Sequence, residues 1–150
     1  QADEFSSWAG FPVAQLTTAA QASLPPVEKA EYASRIRKYL AGRRAREDIL
    51  RGEWFGDPAW DILLDLLASS YESRHVWIGS ACIAAAVPQT TALRWVNRLV
   101  DAGALLRRSD PCDGRRNYLM LEPALAARLE LWVTCHLMPP NSAPRRAFTG

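Results

Sequence analysis

Apolar positions recur along this chain at two periods, one helical and one extended. From Val27 to about Gly52, Ala33, Ile36 and Leu40 fall three and four positions apart, and Ile49 and Leu50 resume the stripe. That spacing predicts an amphipathic helix. The stretch between them, Arg43 to Asp48, is charged nearly all round and reads as a solvated face, with a phosphate contact as the alternative. A second helix is predicted from Asp57-Pro58, with Asp as N-cap and Pro in the first turn. Its core stripe is Trp60, Leu63, Leu64, Leu67 and Tyr71, with Asp61 and Asp65 on the opposite side.

The pattern then shortens. Val76-Trp77-Ile78 is a β-prone run that predicts a short strand. Ser80 is placed to cap a brief helix, Ala81 to Ala86. After a tight turn at Val87-Pro88, a further helix over 88–102 carries Ala92, Trp95, Val96 and Leu99 inward and stops at Gly103. Leu105–Arg108 and Asn117–Glu122 read as two strands of a hairpin, with Asp113-Gly114 as the turn signal. Pro123 opens a last helix with Leu125, Leu129, Trp132, Val133 and Leu137 on one stripe, and Pro139-Pro140 ends it.

The predicted fold is therefore mainly α with a small β-hairpin, in the order of a winged helix-turn-helix. Residues 1–27 read as a flexible N-terminal arm. Residues 28–138 read as the domain with its flanking helices, with a core at 57–122, and 139–150 as a disordered tail.

Composition adds little until it is read locally. The 150 residues are 49% hydrophobic, enough for one core, and the formal charge is only +2. From Arg94 to Arg116, however, six arginines face three acids. That local excess suits a phosphate-facing patch, and a solvated basic face is the alternative reading. Three cysteines without CxxC spacing argue against a disulfide framework and fit a reducing cytosol. No apolar run reaches membrane-spanning length, and no basic-then-apolar signal segment opens the chain.

The helix over 88–102 leaves Gln89, Thr90, Thr91, Arg94, Asn97, Arg98 and Asp101 on its outer side. Gln suits adenine, Arg suits guanine, and a Thr methyl meets the thymine methyl. Arg115 and Arg116 stand at the hairpin tip, where guanidinium groups reach a narrow minor groove or fork onto phosphate. Asp110 and Asp113 are expected to orient these arginines by ion pairs. The apolar Ile36, Leu40, Trp132 and Leu137 of the two flanking helices are the expected dimer interface.

Residues 87–116 resemble the MarR-type winged-helix regulators. VPQTTALRWVNRLVDAG looks like their recognition helix, and RRSDPCDGRR looks like their wing with its Asp-Pro-x-Asp stem and arginine tip. The resemblance spans roughly 57–122. It implies a transcriptional regulator that binds double-stranded DNA as a two-fold homodimer, in a bacterial, nucleoid-associated, cytoplasmic setting. It puts Arg115 in the minor groove and allows a small-molecule effector of unidentified chemistry. The chain departs from the family in having one helix, 123–138, before a proline-rich end, where the family has a long helical pair.

No enzyme, cofactor or metal is expected. His75 and His136 lack a spaced acid or nucleophile, the cysteines lack ligand spacing, and no Gly-rich phosphate loop is present. Cys112, in the stem of the presumed wing, reads as a surface cysteine. A rival reading is a winged-helix module for protein–protein contact. Leu93 and Trp95 separate the two readings. Burial of both favours DNA, and an exposed Trp95 favours a protein partner.

Overall fold

The structure, a computed structural model, describes residues 24–50 and 56–140. Within them the chain is mainly helical with a three-stranded antiparallel sheet. The order is α1 (Pro26–Leu50), α2 (Pro58–Tyr71), β1 (Val76–Trp77), α3 (Ile78–Ala84), α4 (Gln89–Asp101), β2 (Leu105–Ser109), β3 (Asn117–Leu121) and α5 (Pro123–His136). The expected arm overlaps α1 by two residues, and Leu24 packs half-buried against the body. Its remainder, and the expected tail beyond Pro140, lie outside the described residues.

Local chemistry sets the helix ends. Asp57 accepts from the backbone N–H of Trp60 at 3.2 Å, and Pro58 occupies the first turn of α2. Glu122 accepts from the N–H groups of Ala124 and Leu125, which starts α5 behind Pro123. Helix α4 ends in paired bonds from Gly103 N–H to the Val100 carbonyl and from Ala104 N–H to the Leu99 carbonyl. Gly103 has φ +75° there, the left-handed value that this ending requires. The short helix α3 differs from expectation. It starts at Ile78 with no side-chain cap, so Ser80 lies inside it and the strand before it keeps only two residues.

Two apolar clusters share α2 as their common wall. Ile62 and Leu66 face one cluster, built with Val76, Ala92, Val96, Leu99, Leu105 and Leu119 of the α3–α4–sheet side. Leu64, Leu67 and Ala68 face the other, built with Ile36 and Leu40 of α1 and Leu129 and Val133 of α5. This corrects the expected dimer interface. Ile36 is 0% exposed and Leu40 is 4% exposed within the single chain, and Trp132 and Leu137 pack half-buried against the same cluster. Each fully buried Ile or Leu side chain contributes about 1.5–3 kcal/mol, so Ile36 and Leu40 belong to the core of the chain itself, while Trp132 and Leu137 keep part of their surface outward. The outward apolar residues on α1 and α5 are instead Val27, Ile49, Leu50 and Leu131.

Charge ties α1 to α2 as well, which corrects the reading of Arg43 as part of a solvated face. Arg43 Nε donates to Asp61 at 2.8 Å, and both side chains are largely buried. Arg37 donates to Asp65, to Ser69 at 3.0 Å and to both carboxylate oxygens of Glu72. The Glu72 hydrogen bonds, against some desolvation and with help from Asp65, keep Arg37 protonated well above its ordinary range. Burial pushes the Asp61 carboxyl up, and the Arg43 charge only partly offsets it. Both acids expected to face away from the core are thus spent on arginines of α1.

Strand order in the sheet is β1-β3-β2. Val76 pairs with Leu119 and Trp77 with Tyr118. Leu105 pairs with Leu121, Arg108 with Tyr118 and Ser109 with Asn117. Paired residues share a face. Val76, Leu105, Leu119 and Leu121 look into the core, and Trp77, Leu106, Arg108, Tyr118 and Met120 look outward.

Candidate nucleic-acid interface

Helix α4 begins directly after Pro88, whose φ of −51° sets the entry without a side-chain cap. Ala92, Val96 and Leu99 are buried on its inner stripe. That burial turns Gln89, Thr90, Thr91, Arg94, Asn97 and Arg98 outward, and all six are exposed. Trp95, expected on the inner stripe, is half-buried at its edge, with the Arg98 guanidinium 5.2 Å from the ring centroid. Leu93 is 42% exposed. The pair chosen to separate the two readings therefore splits, because Leu93 falls on the outer side of the helix while Trp95 is partly covered.

The outer side is not uniform. Arg107 of β2 donates to Asn97 Oδ1 at 2.6 Å and so links the strand to the middle of α4. Asn97 and Arg98 are each engaged by a neighbour. Arg94 makes no side-chain hydrogen bond or ion pair among the described residues, and it borders a shallow depression of about 380 Å³ with Thr91.

The β2–β3 loop is built by its aspartates, but not through ion pairs. Arg116 N–H donates to the Asp113 carbonyl at 3.0 Å, which makes Gly114 and Arg115 the centre of the turn. Asp113 Oδ1 accepts from Arg115 N–H at 3.1 Å, and Asp110 Oδ1 accepts from Cys112 N–H at 2.8 Å. These short side chains satisfy backbone donors, as aspartate does in turns. Among the described residues neither forms an ion pair with an arginine. Arg115 stands at the turn and is exposed. Arg116 is exposed too, but it folds back so that its guanidinium lies 4.3 Å from the Trp77 ring centroid. The tip therefore presents one unattached and one anchored cation.

Gln89 and Arg116 line one open groove of about 810 Å³, whose apolar lining includes the half-buried Trp77 and Val87 and the exposed Ile83. The start of α4 and the base of the loop thus face the same side of the molecule. Two further contributors were not singled out as such in the sequence, Arg108 being counted only within the basic stretch. Arg108 is exposed on β2 without a side-chain partner among the described residues. His75, expected to be a plain exposed linker residue, is exposed but stacks on Tyr118, with centroids 4.4 Å apart and planes within 3°. The positive φ of 55° at Ser73 turns the chain there, and β1–β3 pairing brings Tyr118 alongside.

No three His, Cys, Asp or Glu side chains converge as a metal site among the described residues. The three cysteines are free. No described helix is long and apolar enough to cross a membrane. No protein-family model matches the chain, and neither does any curated protein or solved structure.

Proposed function

We propose that this chain is a winged-helix protein of MarR type that binds duplex DNA and regulates transcription. In this reading α4 is the recognition helix and the β2–β3 loop is the wing. The observation that carries it is the shared groove. It brings Gln89, in the first turn of α4, and Arg116 of the loop to one side; Thr91, Arg94 and Arg115 are exposed as well. A helix in a major groove reads bases mainly from its first turns, and a wing alongside meets the backbone or the adjacent minor groove. Gln89, Thr90, Thr91 and Arg94 would read bases. Asn97 and Arg98, already engaged, would hold α4 in place or meet phosphate. The protein would act in the bacterial cytoplasm, on the nucleoid. A homodimer would set two recognition helices about 34–36 Å apart on a pseudo-palindrome.

One observation favours the second reading, a protein-interaction module. Leu93 lies exposed next to Arg94 on the same helix. Selection of bound sequences from a random duplex pool separates the two. Enrichment of a palindromic motif supports the regulator. A pool that emerges unenriched refutes sequence-specific binding and leaves the interaction module.

A further inference from the structure

The outer face of the sheet shares only Trp77 and Arg116 with that reading; His75, Tyr118, Arg108 and Met120 have no part in it. It is an unusual surface. His75 and Tyr118 are stacked in parallel, and Trp77 stands edge-on to both, at 6.2 and 6.0 Å between centroids. The Arg116 guanidinium covers Trp77. Arg108 is paired with Tyr118 across the strands and is exposed. Met120, 45% exposed, continues the same face. The nearest strand-end acids, Asp110 and Glu122, are held by backbone N–H groups.

We infer that this face, with the stacked His75 and Tyr118 rings beside Trp77, Arg108 and Arg116, is a second nucleic-acid surface that takes unpaired nucleotides. A base is a flat π-system on a charged backbone, so it needs a flat partner and a cation a few ångströms to the side. The face supplies both. One side of the His75 ring rests on Tyr118, and the residue is exposed, which leaves ring surface for a base. The stack already has the parallel geometry that a further ring extends. Arg108 and Arg116 flank it as phosphate partners, Arg116 with its guanidinium held 4.3 Å from the Trp77 ring centroid. Stacking of this kind tolerates any base, since every base has a π-face. A paired duplex can meet Arg108 and Arg116 with its phosphates but offers no free base face to the His75–Tyr118 stack, because its bases are stacked on each other. An acidic peptide would use the two cations and leave the ring stack unused.

The test is fluorescence anisotropy with labelled oligothymidylate of about twelve nucleotides, within the usual range of single-strand site sizes. The full chain should bind it, and His75→Ala should weaken binding roughly tenfold, in the range of one lost base stack. His75→Phe should restore it, which a purely ionic contact would not do. Arg108→Ala should lower the affinity and flatten its dependence on salt. Equal binding by His75→Ala and the parent overturns the proposal. So does polyglutamate that competes as well as oligothymidylate and is indifferent to His75→Ala. Blunt-duplex binding is read separately with Arg94→Ala. Its failure removes the regulator reading and leaves this one, while a duplex that binds beside an oligothymidylate that does not removes this one alone.

Discussion

The two sides of α2 use arginine in opposite ways. Toward α1, Arg43 is largely buried against Asp61, and Arg37, about a third exposed, is paired with Asp65 and Glu72, so their charges are engaged within the protein. Toward α4 and the sheet, Arg94, Arg108 and Arg115 are exposed and make no side-chain ion pair among the described residues. A desolvated arginine without an acid is costly, so the first group can only be structural. A solvated arginine without an acid costs nothing and keeps its donors for another anion. The difference teaches that cation count along a chain says little, and that the acids on the facing helix decide which cations remain available.

The comparison breaks most sharply at Arg43. Arg43→Ala leaves the Asp61 carboxylate buried without its partner, and should cost about 3 kcal/mol of unfolding free energy by urea titration. The double change Arg43→Leu with Asp61→Leu should recover most of it, since a buried pair replaced by apolar groups is often neutral. On the other side of α2, Arg94→Ala should leave stability within about 0.5 kcal/mol of the parent, as exposed substitutions do. Its effect is expected on DNA binding, under the proposed function. A loss of about 2 kcal/mol on a selected site, and much less on random duplex, is expected if Arg94 forks onto a guanine. An equal loss on both would make it a phosphate contact.

These two arginines also mark what the sequence made legible. The order of helices, the Gly103 stop and the hairpin follow from local signals, and the outward side of α4 follows from its buried stripe. The fate of Arg43 does not, because nothing local says that Asp61 sits opposite on another helix. Ile36 and Leu40, expected at a dimer interface, failed for the same reason. They read as an uncovered stripe only until α2 is seen to be buried on both sides. His75 gave no signal at all. Its neighbour Tyr118 is brought in by β1–β3 pairing, a contact between distant segments.

Arg116 belongs to neither group, since it is exposed yet rests on Trp77. It should show both behaviours weakly. Arg116→Ala should lower stability by about 0.5–1 kcal/mol, the range of an exposed cation–π contact, measured by thermal melting. Arg115→Ala, lacking that contact, should not. On DNA each should flatten the plot of log affinity against log salt by about 0.9 per phosphate lost.

Acid sharpens the contrast further. Hydrogen bonds from Arg37 hold the Glu72 carboxyl below its ordinary value of 4.5. A depressed carboxyl stabilises the fold above that ordinary value, and its contribution is lost as pH falls through the lower folded value. Stability should therefore drop below about pH 4.5 in the parent. In Glu72→Gln that part of the acid limb should be flatter, as chemical denaturation at stepped pH would show. Arg94→Ala should leave the limb unchanged, since no acid is paired there.

The smallest effect is expected at the turn that aims α4. Ala86 follows α3 with φ +52° and donates its N–H to the Ile83 carbonyl at 3.2 Å. A side chain in that left-handed region costs about 1–2 kcal/mol. Glycine removes this cost but adds about 0.4–1 kcal/mol of unfolded-chain entropy to be lost on folding. Ala86→Gly should therefore stabilise the protein by about 0.5 kcal/mol, seen as a small rise in melting temperature. The consequence for α4 follows from what holds it. Ala92, Val96 and Leu99 seat the helix in the core, and the Arg107–Asn97 bond ties it to β2. Those contacts lie beyond the turn and survive the substitution, so duplex affinity should stay at the parental level. A stabilised variant with weakened DNA binding would show that the strained turn, rather than the buried stripe, sets the direction in which Gln89 and Arg94 point.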